Sequence, residues 1–273
     1  IGKISIYGKY GPYEDGRSSG AITIDKLPDA VDPDEATGQV LSMVTITDEY
    51  AYTYPYLTTP GYPQALLYRL PQGTQDIVES QSGEFLNLRS GKTVKASSGT
   101  VTQETFQGNN LISEFSCGVE GGDTVIRATM AWKAPFSITP SPYPSDPKEL
   151  TTSYQFNANT ITITLDYATT MPEAISGSMA DSPLFSGISM ERVRNEERGI
   201  WQYVITLPLR QAGVYLGCHA AYEGNTLVLR FNNPVSSGSL SGVKICVDAG
   251  HGGSDTGMIG ANVYEKDMNL LQA

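Results

Sequence analysis

Short segments in which apolar and polar residues alternate one for one run through this chain, and a period of two fits a strand with one buried and one wet face, not a helix. Ile161, Ile163 and Leu165 alternate with Thr160, Thr162 and Thr164. Trp201, Tyr203, Ile205, Leu207 and Leu209 repeat the pattern, as do Leu227, Leu229 and Phe231 after a Glu223-Gly224-Asn225 turn. Leu111 to Val119 and Thr124 to Trp132 flank Glu120-Gly121-Gly122-Asp123, a hairpin turn built from residues that tolerate positive φ. Ser153 to Phe156 and Thr160 to Tyr167 flank Asn157-Ala158-Asn159 in the same way. A mainly-β fold follows, with a β-sandwich expected over residues 109–234. Two irregular connections interrupt it: Pro135 to Pro147, which carries five prolines and reads as an extended loop, and Met171 to Ser189, broken by Pro172 and Pro183.

Residues 1–108 read as a separate N-terminal β-module. Ile4 to Tyr7, Ala21 to Ile24 and Val40 to Thr47 are strand-like, and the short apolar runs from Leu66 to Val94 are punctuated by Pro71-Gln72-Gly73, Ser82-Gly83 and Ser90-Gly91. That spacing suggests a small meander. Asp29, Asp32, Asp34 and Glu35 lack the glycine-centred spacing of a calcium loop and read as a solvated loop. Tyr50, Tyr52, Tyr54 and Tyr56 recur with period two, so an extended backbone puts the four rings on one face. Such a face either packs on a neighbouring strand or stacks on sugar rings, which makes the four tyrosines candidate glycan contacts. Pro55 lacks an N–H, so this strand must lie at an edge or end there.

The formal net charge of −11 over 273 residues argues against nucleic acid or an anionic membrane surface as partners. No apolar run approaches the roughly 18 residues of a transmembrane helix, so no transmembrane segment is expected. The chain opens at Ile1 and not at Met, which is expected of a secreted protein after removal of its leader. Glycine, proline, threonine, serine and tyrosine are abundant, a composition typical of extracellular β-proteins. Cys117, Cys218 and Cys246 show no metal-type spacing. A Cys117–Cys218 bridge is open on sequence alone, and Cys246 reads as a small buried hydrophobe. Adjacent Cys218 and His219 point to opposite faces of a strand, which argues against a joint site.

The C-terminal segment carries the chemistry. Ile245, Cys246 and Val247 form a short apolar run expected of a strand buried on both faces, after which Gly250, Gly252 and Gly253 allow a sharp turn around His251. Glu265 heads a helical pattern that continues through Met268, Leu270 and Leu271. An imidazole and a carboxylate from separate elements form a plausible metal-ligand pair for zinc. The whole pattern, Asp248-Ala249-Gly250-His251-Gly252-Gly253-Ser254-Asp255, then Gly257, Gly260 and Glu265-Lys266-Asp267-Met268-Asn269-Leu270, closely resembles the start of the zinc-dependent N-acetylmuramoyl-L-alanine amidases that cut peptidoglycan.

The resemblance covers residues 243–273. It implies that His251 and Glu265 are two of three protein zinc ligands, and that the third ligand and the catalytic Glu belong to sequence further along. It also implies the first strand and helix start of a truncated α/β catalytic domain. A chain with two ligands and no general base is expected to hold zinc weakly and to be inactive by itself. Residues 235–242, Val235-Ser236-Ser237-Gly238-Ser239-Leu240-Ser241-Gly242, read as a flexible linker. A β-domain, a tether and an amidase strand resemble the architecture of the AMIN-type modules that precede such enzymes in bacterial envelope proteins. The reading is a secreted peptidoglycan hydrolase whose 109–234 region targets the cell wall. The alternative is a non-catalytic envelope-binding or structural β-protein.

Overall fold

The computed structural model describes residues 37–56, 66, 68–142, 158–234, 247, 249–260 and 263–272. The chain divides into two compact units, residues 1–234 and 235–273. The chain is mainly β, as the alternation requires. Strands expected at Ile4–Tyr7, Ala21–Ile24 and Ser153–Phe156, the acidic stretch 29–35, Cys246 and the 235–242 linker lie outside the described residues.

The described residues of the first unit begin with β1 (Val40–Ile46), β2 (Tyr50–Tyr52), β3 (Tyr54–Pro55), β4 (Arg69–Pro71), β5 (Gln75–Ser82), β6 (Phe85–Leu88), β7 (Lys92–Lys95) and β8 (Gly99–Thr105). They form a six-stranded sheet in the order β3-β7-β6-β5-β1-β8, beside a two-stranded β2-β4 pair. The β5-β6-β7 run is the expected meander. Its turns work because Gly83 and Gly91 take φ of +59° and +84°, the left-handed region that L side chains avoid, as Gly73 does at +85° in the turn leading into β5. β3 ends at Pro55 on the edge of the sheet, where a missing N–H costs no ladder bond.

The chain continues through β9 (Asn110–Glu120), β10 (Asp123–Met130), β11 (Phe136–Ser141), β12 (Thr160–Asp166), β13 (Ala168–Thr170), β14 (Ser176–Gly177), β15 (Ser189–Asn195), β16 (Ile200–Pro208), β17 (Cys218–Glu223) and β18 (Thr226–Asn232). One sheet runs β13-β9-β10-β18-β17, with β14 paired to β9, and the other runs β11-β12-β16-β15. Gly121 and Gly122 both take positive φ between β9 and β10, which suits a two-residue hairpin. Phe115, Ile126, Leu229 and Phe231 of the first sheet share a core cluster with Phe136, Ile161, Ile163 and Leu207 of the second. The expected loop from Pro135 to Pro147 is corrected in part: its first half is β11. Pro140 is tolerated because, among the described residues, β11 lies at the sheet edge and pairs only with β12, with Pro140 opposite Ile161.

The expected boundary near Gly108 falls between β8 and β9, and the core continues across it. Phe106 meets Trp132 edge-on at 5.9 Å, and Trp132 lies 5.1 Å from Tyr167. Polar groups also cross. Lys92 of β7 forms a buried ion pair with Asp166 of β12, and Gln202 of β16 donates to the same carboxylate at 2.7 Å. Asp76 of β5 accepts from the Tyr167 hydroxyl at 2.5 Å and from the Ile77 backbone N–H at 2.8 Å. Burial pulls Lys92 down, but Asp166, Tyr68 and Asp76 around it reverse that and hold its ammonium above the ordinary value. Burial pushes the Asp76 carboxyl up to about 6.

Cys117 and Cys218 are free thiols. Cys117 lies on β9 and Cys218 on β17, with β10 and β18 between them, so about 14 Å of sheet separates the two at roughly 4.8 Å per strand. A disulfide needs Cα atoms within about 7 Å.

In the second unit, β19 (Ile259–Gly260) pairs antiparallel with β20 (Val263–Tyr264), and α1 (Glu265–Gln272) follows directly. Of the expected buried strand Ile245–Val247 only Val247 is described, and it is exposed. The β19-β20 hairpin was not legible in the sequence. Its effect is to fold the chain back so that the head of α1 returns to the glycine turn.

Candidate functional site

His251 sits in the glycine-rich turn with φ of +65°, an uncommon conformation for a residue with a side chain. The turn is closed by reciprocal backbone bonds between Gly252 and Asp255, both 2.9 Å. Glu265 is the first residue of α1, where a carboxylate suits the positive end of the helix. Its backbone N–H donates to the Met258 carbonyl at 3.0 Å, while its Oε2 accepts from the Met258 N–H at 2.8 Å. That reciprocal pair fixes the carboxylate against the turn. From the next turns of α1, Lys266 Nζ donates to the Gly253 carbonyl at 2.9 Å and Asn269 Nδ2 to the Gly250 carbonyl at 3.0 Å. The helix therefore holds the glycine turn through three of its own side chains.

The structure brings together the two residues singled out as metal ligands. His251 Nε2 lies 3.4 Å from Glu265 Oε2. Two donors about 2.0–2.1 Å from one tetrahedral ion stand about 3.3–3.4 Å apart, so this separation is the edge zinc would span. On the other side of the ring, His251 Nδ1 is 3.0 Å from Asp255 Oδ2. A carboxylate on Nδ1 is the arrangement that orients metal-binding histidines, and a metal would take the place of any proton on Nε2. Asp255 itself is held by the Gly257 N–H at 3.0 Å. The hydrogen bond that His251 donates to Asp255, together with the negative charge of Asp255 and Glu265, raises the imidazole above its ordinary value. The same bond and the Gly257 N–H hold the Asp255 carboxyl below its own.

Gly257 is what allows the convergence. A Cβ there would come within 2.6 Å of His251 Cδ2 and 2.8 Å of Glu265 Cβ and Oε2, and its φ is +61°. Asp255 and Gly257 stand inside the motif, but only the fold shows their tasks. The one sequence signal was a carboxylate four residues after the histidine. Among the described residues no group of three His, Cys, Asp or Glu side chains is placed to hold a metal, so the fit to zinc is that of two corners of a tetrahedron.

The tyrosine row is extended but divided, because β2 pairs with β4 and β3 pairs with β7. Ala51 and Thr53 on either side of Tyr52 are buried and Tyr52 is exposed, whereas Pro55 is exposed between half-buried Tyr54 and Tyr56, so the expected single face of four rings is not kept along the row. Each ring has its own partner. The Tyr50 hydroxyl is 2.7 Å from His219 Nε2, and Arg69 stacks 4.2 Å from the centre of Tyr52 while donating to its hydroxyl at 2.9 Å. Tyr54 meets Phe85 edge-on at 5.2 Å. Tyr56 donates to Glu79 at 2.9 Å beneath Arg198, whose guanidinium lies 3.9 Å from the ring centre. The result is a ladder of polar-tipped rings, with Tyr52 the exposed member.

Comparison with protein-family models, with curated proteins and with solved structures finds no match for this chain.

Proposed function

We propose that this chain is part of a peptidoglycan hydrolase that cleaves the amide between N-acetylmuramic acid and the first L-alanine of the stem peptide. The observation that carries the reading is the 3.4 Å approach of His251 Nε2 to Glu265 Oε2, with Asp255 on the far ring nitrogen. Zinc, when bound, would activate a water and polarise the scissile carbonyl. In this chain His251 and Glu265 would be two of its ligands, Asp255 would fix the imidazole tautomer, and Gly257 would leave the room the pair needs. By the resemblance, a further ligand and a general base would come from sequence beyond this segment.

The β-rich unit is proposed as the wall-binding part, AMIN-like in role and architecture, acting outside the cell in the wall or periplasm. Holding the hydrolase on an insoluble polymer raises its local substrate concentration to about the millimolar range for a short tether. Affinity would rest on stacking and hydrogen bonds, since a chain of charge −11 gains little from an anionic polymer overall. The test is co-sedimentation of the full chain with purified insoluble peptidoglycan. Binding that survives moderate salt is expected, together with no release of stem peptide by the chain itself. Failure to sediment above a control protein would refute wall targeting and leave a spacer or structural β-protein. Stem-peptide release at the rate of a complete amidase would refute the two-ligand account.

A further inference from the structure

At its Tyr50 end the ladder meets a pocket of about 230 Å³ where the β2-β4 pair approaches β17. Tyr50, Tyr68, Arg69, Ile138, Tyr215 and His219 line it. The volume lies below the roughly 300–1,000 Å³ of sites for larger ligands, so it suits one ring-sized group with a short substituent. Its walls combine aromatic and aliphatic surface with polar groups, Arg69, His219 and the tyrosines among them. The Tyr50 hydroxyl reaches His219 Nε2 at 2.7 Å, with the two rings edge-on at 5.9 Å, and that contact ties β2 to β17. Cys218 also lies on the wall, but burial pushes its thiol well up, which keeps it uncharged.

Arg69 decides the ligand's charge. Its guanidinium is stacked on Tyr52 and bonded to the Tyr52 hydroxyl, and among the described residues it has no carboxylate within ion-pair distance. Stacking on a ring pre-organises the planar fork without neutralising it, and one bond to a hydroxyl uses one of its five N–H donors. A planar cation of this kind recognises a carboxylate. The aromatic lining recognises the apolar face of a sugar ring.

Amide hydrolysis as proposed above adds water across the lactyl-alanine bond. The C–N bond breaks, the lactyl carbon becomes a carboxylate, and the alanine nitrogen leaves as an ammonium. The glycan therefore gains one negative charge at each cut, beside the ring that carries it. We propose that the pocket binds a pyranose bearing a free carboxylate, namely the N-acetylmuramic acid residue left after the stem peptide is removed, with Arg69 on the carboxylate and the tyrosine rings against the sugar. The choice of sugar rests on the hydrolase reading. The pocket would then hold the chain on glycan that has already been cut, next to uncut strands.

Three sugars test this directly: N-acetylmuramic acid, N-acetylglucosamine, which lacks only its lactyl ether, and N-acetylmuramyl-L-alanine amide, in which the carboxylate is capped. Each is titrated against the full chain and followed by NMR shifts of the His219 ring and of the sugar. The expected result is saturable binding of N-acetylmuramic acid, with N-acetylglucosamine and the N-acetylmuramyl-L-alanine amide each about tenfold weaker or more. Arg69→Gln, at an exposed position, removes that preference, and His219→Gln weakens all three sugars without removing it. Equal affinity for the two monosaccharides, an undiminished preference in Arg69→Gln, or no binding of either sugar overturns the proposal. Zinc binding at His251 is read in a separate titration, so failure here is distinguishable from failure of the hydrolase reading.

Discussion

Replacing Asp76 with Asn should remove a pH dependence that the buried carboxyl imposes on the first unit. Asp76 is enclosed between β5 and the residue after β12, with Tyr167 donating to Oδ1 and no hydrogen-bond partner at Oδ2. Burial raises its carboxyl to about 6, against roughly 3.9 for an aspartate in an unfolded chain. Between those values the folded protein binds more protons than the unfolded chain, so stability falls as pH rises. The contribution is complete below about pH 4 and gone above about pH 6. A shift of about two pH units at 1.36 kcal/mol each amounts to about 3 kcal/mol. Asn is neutral at every pH and can still accept from Tyr167 and the Ile77 N–H. The stability of Asp76→Asn relative to the parent should therefore rise by about 3 kcal/mol from pH 4 to pH 7. Urea unfolding at unit pH steps, read by tryptophan fluorescence, measures this, because Trp132 and Trp201 are the chain's two tryptophans and both lie in the first unit. Taking the difference between the proteins cancels the titrating groups that do not interact with Asp76, leaving Asp76 and the Lys92, Asp166 and Tyr167 groups coupled to it. A difference that stays flat, or that moves against Asn with rising pH, would refute the reasoning.

Lys92→Met should cost about 3–5 kcal/mol at pH 8, because it leaves the Asp166 carboxylate buried without its cation; a loss under about 1 kcal/mol in the same unfolding assay would contradict the pair's role. Gly257→Ala should abolish any zinc-dependent perturbation of His251 while leaving tryptophan-detected unfolding of the first unit unchanged, since the new methyl collides with both His251 and Glu265; retention of the zinc response would show that the approach is not tight. Cys117 and Cys218 should both be alkylated after unfolding without reductant, as mass spectrometry would show, and a 117–218 cross-linked peptide would contradict the sheet order.

Much of the sheet architecture was legible because it is local. The Ile161, Ile163 and Leu165 face is buried as its alternation requires, and the Gly121-Gly122 turn takes the positive φ its residues permit. Pro140 misled, since proline density reads as loop unless one knows that the strand lies at an edge. The Asp76, Lys92, Asp166 and Tyr167 cluster was invisible. Lys92 follows Ser90-Gly91 and reads as a turn lysine, and its partner lies 74 residues away. Such pairing is set by sheet packing, which no local pattern encodes. At the candidate site the two donors were legible from the motif. The orienting role of Asp255 and the clearance at Gly257 were not, because both depend on a hairpin whose two-residue strands are too short to leave a periodic signal.

The central claim is that His251 and Glu265 form half of a zinc site. Zinc titration of the full chain, followed by ¹⁵N NMR of the imidazole nitrogens, tests it most directly, because the chain has two histidines and His219 serves as the internal control. The account predicts weak, saturable binding in which His251 Nε2 shifts, His251 Nδ1 keeps its proton toward Asp255, and Glu265→Gln removes the response. An unperturbed His251 at millimolar zinc, or a response confined to His219, would contradict it.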